Sequence, residues 1–149
     1  MNHVGELTPS QQRYLATILS LESEKGRVKQ SDIAEKVKVN RSSVTSALRA
    51  LAERTLIEYE PYEAVTLTPI GKEMAEAISA RGRIIKAYLT QVLNIEEHIA
   101  QEAAFDMQHT IPDVVIERLT SEPTVGPATS TQRETTFETT ERTEQLDGQ

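Results

Sequence analysis

The sequence predicts a mostly α-helical protein with one small β-hairpin, organised as a winged helix-turn-helix followed by a helical dimerisation domain. Three observations carry that expectation. Between Gln30 and Leu51 a short helix, a tight turn and a second helix follow one another; Leu56 to Leu67 reads as a hairpin; and Thr68-Pro69 opens an apolar stripe longer than a small winged domain needs.

Taken in order, the run Leu7-Thr8-Pro9-Ser10-Gln11 starts the first helix. Thr8 stands at the N-cap, Pro9 at the first helical position, where its missing N–H is harmless, and Gln11 can close a capping box. Tyr14, Leu15, Ile18, Leu19 and Leu21 then recur at helical spacing until Lys25-Gly26 ends the helix near Glu24. Ser31 is positioned to cap a short second helix from Asp32 to Val37, with Ile33, Ala34 and Val37 on one side. Val39-Asn40 turns the chain into a third helix from Arg41 to about Arg54, whose Val44, Ala47, Leu48 and Leu51 point inward. Two strands, Leu56–Glu60 and Val65–Leu67, flank the loop Pro61-Tyr62-Glu63-Ala64 and make the wing.

Thr68-Pro69 repeats the Thr-Pro helix start and opens a long helix carrying Ile70, Met74, Ile78, Ile84, Ile85, Tyr88, Leu89 and Val92. Asn94, with Glu97 three residues on, reads as the cap of the next helix, and Thr110 to Leu119 as the last. Ile84, Ile85, Tyr88, Leu89 and Ile99 carry more apolar surface than a winged domain covers, and a two-fold homodimer would bury it. From Thr120 the composition turns to Thr, Glu, Pro and Gly, with too few apolar side chains to offset chain entropy. The expected division is therefore 1–68 for the winged helix-turn-helix, 69–119 for the dimerisation domain and 120–149 for a disordered acidic tail.

Composition limits the possible functions. With 149 residues, two large domains are excluded, and with six aromatic residues and no tryptophan the core must be aliphatic. The absence of cysteine removes disulfides, thiolate metal sites and a cysteine nucleophile, and fits a reducing compartment. Met1 to Leu7 lacks a signal-peptide pattern, and no run approaches the roughly 18 apolar residues of a membrane span. The expected location is cytoplasmic, with no membrane partner. His3, His98 and His109 stand among no nucleophiles or glycine-rich loops, so an enzyme is not expected.

Net charge is −7, yet residues 25–54 hold eight lysines and arginines against three acids, a local balance of +5. That basic patch coincides with the helix-turn-helix. The exposed face of its second helix presents small hydroxyls and arginines, which suit insertion into a major groove: serine and threonine can bond base edges or phosphates, and Arg41 and Arg49 can reach guanine edges or backbone oxygens. A solvated polar face would look similar in an isolated helix. The wing and the order of elements favour double-stranded DNA as the partner. The wing itself is atypical, because Glu58, Glu60 and Glu63 stand where phosphate-gripping wings carry basic residues.

Ser31-Asp32-Ile33-Ala34-Glu35, Ser42-Ser43-Val44-Thr45 and Leu67-Thr68-Pro69-Ile70-Gly71-Lys72 resemble the diphtheria toxin repressor and manganese transport regulator family, over about residues 8 to 119. The resemblance is closest to the short, manganese-type members. It implies a homodimeric repressor on a pseudo-palindromic operator, with Mn or Fe bound between the two domains as the switch. It also implies a recognition face made of Arg41, Ser42, Ser43, Thr45, Ser46 and Arg49.

The family's metal ligands do not carry over. Its Asp-x-x-Glu pair in the first helix is here Arg13 and Ala16; its histidine on the long helix is Gly82; its Glu or Cys followed by x-x-Glu-His is Ala104, Met107 and Gln108. One amide and one thioether cannot hold Mn²⁺ against water. No cofactor is therefore expected, and the usual Mn or Fe switch is expected to be lost. A different stripe, His98, Glu102, Asp106 and His109, falls at spacings of four, four and three on one helix face. A solvated face explains it most simply; as a metal site it would make the chain a metal-responsive repressor by a non-standard route. A further alternative is a protein-interaction module that uses the acidic wing and tail to bind a basic partner or another regulator.

Overall fold

The computed structural model describes residues 3–121. The expected tail lies outside the described residues except for Thr120 and Ser121, which are helical. A 3₁₀ turn at His3–Glu6 precedes α1 (Pro9–Lys25), α2 (Gln30–Val37), α3 (Arg41–Glu53), β1 (Ile57–Glu58), β2 (Thr66–Leu67), α4 (Pro69–Gln91), α5 (Glu97–Met107) and α6 (Asp113–Ser121). No helix among the described residues is long and apolar enough to cross a membrane.

Local chemistry explains both the expected starts and the displaced ones. At α1 the capping box forms, with Gln11 N donating to Thr8 Oγ1 and Thr8 N to Gln11 Oε1, both at 3.1 Å. Gly26, at φ 78°, ends that helix. Ser31 does not cap α2, which begins earlier, at Gln30. Asp32 closes its N-terminus instead, accepting from Lys29 N at 2.9 Å and pairing with Lys25 Nζ at 2.5 Å. A carboxylate there satisfies an orphan N–H and meets the positive end of the helix dipole, which a serine hydroxyl does less well. Asn40 caps α3, its Oδ1 accepting from Ser43 N at 2.9 Å.

The wing strands are shorter than expected, pairing only Ile57 with Leu67 and Glu58 with Thr66. Leu56 lies just outside the strand, and its carbonyl accepts from its in-register neighbour Thr68 N at 3.1 Å, where α4 begins. Val65 pairs with Val28 rather than across the wing, its N–H reaching the Val28 carbonyl at 2.8 Å. Asn94 is no cap: it takes φ 53° in the turn after α4, and Glu96 is the residue before α5. Asparagine tolerates that left-handed geometry, so here it redirects the chain after one helix instead of starting the next. Thr110 and Ile111 belong to the turn that closes α5, both bonding back to the Met107 carbonyl at 3.0 Å, and α6 begins only after Pro112.

Two aliphatic cores result. The first gathers Leu15, Ile18, Ile33, Val44, Leu48, Leu51, Ile57 and Val65 from α1 to the wing, together with Met74, Ala75 and Ile78 of α4. The second holds Ile85 and Leu89 of α4 with Ala100, Ala104 and Ile116. The long helix therefore serves both halves, and Gly82 lies between its two sets of buried residues.

Candidate nucleic-acid interface

Burial of Val44, Leu48 and Leu51 fixes the rotation of α3, and Arg41, Ser42, Ser43, Ser46 and Arg49 consequently face outward, all exposed. Neither Arg41 nor Arg49 makes an ion pair among the described residues. Thr45 differs from the expected reading. It is half-buried, donates its Oγ1 proton to the Arg41 carbonyl at 2.9 Å and accepts from Gln30 Nε2 at 2.5 Å. Gln30 also donates to the Arg41 carbonyl at 3.2 Å and accepts from Tyr59 OH at 3.0 Å. Thr45 thus anchors the wing to the start of α3 instead of offering a free hydroxyl. Ser42 is similarly engaged, donating to Asn40 Oδ1 at 2.8 Å.

A groove of about 440 Å³ runs between α3 and the wing, lined by Lys29, Gln30, Arg41, Thr45, Arg49, Tyr59, Tyr62 and Glu63 among others. Sequence reasoning missed Lys29, Gln30, Tyr59 and Tyr62. The first lies just before α2, and the tyrosines were assigned only to strand and loop. Tyr62 stands fully exposed at the wing tip at φ 69°, flanked by exposed Glu60 and Glu63. The wing accordingly offers an aromatic tip and carboxylates.

Of the six positions that the resemblance matches to the family's metal ligands, four share one site and two lie apart from it. Ala16, Gly82, Ala104 and Gln108 line one cavity of about 400 Å³ between α1, α4 and α5. Gln108, 3% exposed, lays its amide over Gly82, where any Cβ would run into it. Arg13 is not in that cavity. It lines a different cavity, 3.5 Å from Asp106 and together with His109. Met107 packs against the second core. The residues that do converge bring only one side-chain amide, and they do not fit a transition-metal ion.

The alternative stripe does not converge either. His98 is exposed, with Nδ1 3.5 Å from Glu96, and Glu102 is exposed. His109 lies past the end of α5 and is 6% exposed, packed edge-on against Phe105 with ring centroids 5.3 Å apart. It is therefore no part of a solvated face. Among the described residues no group of three or more histidines, cysteines and acids could hold a metal.

Burial pushes the His109 imidazole down to about 4; the Arg13 cation and then Arg81 act in the same direction, against the pull of Asp106. His109 is thus neutral when folded, whereas in the unfolded chain it takes up a proton near 6.5. Because the unfolded state binds the extra proton, stability is full above 6.5 and declines as pH falls towards 4. Urea unfolding at about pH 7.5 and about pH 5 should show a loss in wild type that shrinks in His109→Phe. An equal loss in both proteins would contradict the assignment.

A helix-turn-helix with a hairpin wing, continued by a long shared helix and a second helical core, defines a winged-helix regulator with an appended helical domain. The matches agree. Residues 6–65 fit the model "Iron dependent repressor, N-terminal DNA binding domain", and residues 68–122 fit "Iron dependent repressor, metal binding and dimerisation domain". The chain belongs to the iron-dependent repressor family of DNA-binding transcriptional regulators, which are not enzymes. It is 32% identical over 114 residues to an HTH-type transcriptional regulator of Methanocaldococcus jannaschii, covering 76% of this chain and 91% of that one. To the HTH-type transcriptional regulator MntR of Geobacillus thermodenitrificans it is 32% identical over 112 residues, covering 75% and 79%. The crystal structure of T. acidophilum IdeR superposes with a TM-score of 0.66 at 25% identity, covering 72% of this chain but 51% of that one. The chain thus spans about half the length of that solved structure.

Proposed function

We propose that the chain is a homodimeric transcriptional repressor that reads a pseudo-palindromic operator through α3, and that it does so without the family's Mn or Fe switch. The observation carrying the reading is the outward face of α3, where Arg41 and Arg49, unpaired among the described residues, stand beside Ser43 and Ser46. Two such helices in a dimer would enter successive major grooves about 34 Å apart. On this reading residues 1–68 bind DNA, residues 69–119 dimerise, and the rest is dispensable for both. Binding of duplex DNA from the promoter upstream of the chain's own gene, at moderate salt, tests it against the protein-interaction alternative, which predicts no salt-dependent duplex binding.

The dimer is supported by apolar surface that the protomer leaves uncovered. Ile85 and Leu89 are spent on the second core, but Leu93, Ile99, Val114 and Val115 remain 40–59% exposed on α5, α6 and the turn before α5. Light scattering is expected to give the mass of two chains, both for the full chain and for a truncation after Ser121. A monomer at micromolar concentration in either form would contradict it.

A further inference from the structure

The cavity between α1, α4 and α5 holds a polar group that the fold does not use. Gln108 is 3% exposed, and its side-chain amide makes no hydrogen bond among the described residues. Both amide atoms nevertheless keep some solvent access, and Gln108 lines the cavity, so an unused donor and an unused acceptor open into it. A native fold rarely keeps such a group unless a bound molecule supplies its partner. The space, about 400 Å³, is that of a small-molecule site and far more than one water needs. Small residues on three helices, Ala16, Gly82 and Ala104, hold it open, and Leu19 and Phe105 make its lining partly apolar. Gly82 is needed as glycine here, because a Cβ would strike the Gln108 amide oxygen.

The charged residues of the lining decide the sign of an occupant. Glu24 is paired with Lys36 at 2.6 Å and Lys86 with Glu97 at 2.9 Å, so those charges cancel. Arg83 is exposed and makes no ion pair among the described residues, which leaves its guanidinium as the uncompensated charge.

We propose that this cavity binds a small organic acid whose uncharged end carries an amide-like edge, one donor beside one acceptor. That edge would exchange two hydrogen bonds with the Gln108 amide, as a glutamine does with the edge of a base. The carboxylate would meet the Arg83 guanidinium, and the body of the molecule would lie on Leu19 and Phe105. A cation would leave Arg83 opposing it. An inorganic anion could pair with Arg83 but would leave the apolar lining and the amide oxygen without a partner. Because α1 belongs to the DNA-binding half and α5 to the helical half, an occupant would tie the two together; only that regulatory consequence rests on the function proposed above.

Calorimetry on the full chain, without DNA and in a strong chelator, tests the site apart from any DNA reading and any metal. Orotate, a ring of this class, or succinamate, an open chain, is expected to bind saturably with a Kd of about 1 mM or tighter. Uracil and succinamide, which lack the carboxylate, and benzoate and butanoate, which lack the amide-like edge, should each bind at least about tenfold more weakly than their parent. Arg83→Gln, at an exposed position, should lower the affinity about tenfold with no change in melting temperature. Gln108→Leu should abolish binding while leaving the melting temperature of the free chain equal or higher, because it removes an amide that the fold leaves unpaired; a purely structural glutamine would show a fall instead. No saturable heat from orotate or succinamate at about 10 mM would overturn the proposal. So would equal binding of the truncated analogues, or binding unchanged in Arg83→Gln and Gln108→Leu.

Discussion

Replacing Arg41 and Arg49 together by alanine is expected to weaken operator binding about a hundredfold or more while leaving the melting temperature unchanged. Both side chains are exposed and make no ion pair or side-chain hydrogen bond among the described residues, so little is lost from the fold. The complex loses two cationic contacts per protomer, each of about 1–3 kcal/mol if it reads a base. Contacts to phosphate would show differently: the slope of log K against log salt should fall by about 0.9 for each one removed. Separate Arg41→Ala and Arg49→Ala titrations against single-base operator variants distinguish the two roles. Wild-type affinity in the double variant would remove α3 from the interface.

Gly71→Ala is expected to destabilise the chain by about 3 kcal/mol, seen as a lower melting temperature and urea midpoint. A Cβ there would run into the backbone carbonyl of Leu56, which is held by the Thr68 N–H at 3.1 Å. Gly71 is itself held, its N–H donating to Thr68 Oγ1 at 3.1 Å. The Leu56 neighbour is backbone and cannot rotate away, so the cost falls on the junction between wing and α4. Gly82→Ala is the control. Its Cβ would meet only the amide end of the Gln108 side chain, which can swing aside, so the loss should be much smaller. Similar losses in the two variants would contradict this account of the junction.

The parts of the fold that follow from local chemistry could be read from the chain alone. Thr8 and Thr68 are side-chain caps, each with its acceptor in place, and the apolar spacing in α1 and α3 told which faces turn inward, whereas in α4 Ile70, read into the apolar stripe, is 55% exposed. Errors came where a local signal competed with a tertiary one. Ser31 lost to Asp32 because Asp32 also pairs with Lys25, from a different helix. Asn94 carried a cap's residue type but met a turn that needs positive φ. At the recognition face, residue type gave Thr45 as a contact, but its partner Gln30 lies 15 residues away and is itself held by Tyr59 of the wing. His109 shows the limit of helical angle: the helix stops at Met107, so the face projected for position 109 does not exist.

The proposed function has this chain bind its operator without the family's metal switch, and one titration tests that directly. Ala16, Gly82, Ala104 and Gln108 converge on one cavity with a single amide among them, and Arg13 lies elsewhere beside Asp106. Affinity for operator DNA should be measured with Mn²⁺, with Fe²⁺ and with a strong chelator. The three values are expected to agree within about twofold, or roughly 0.4 kcal/mol, too little for a switch. A tenfold or larger gain with either metal would contradict the account.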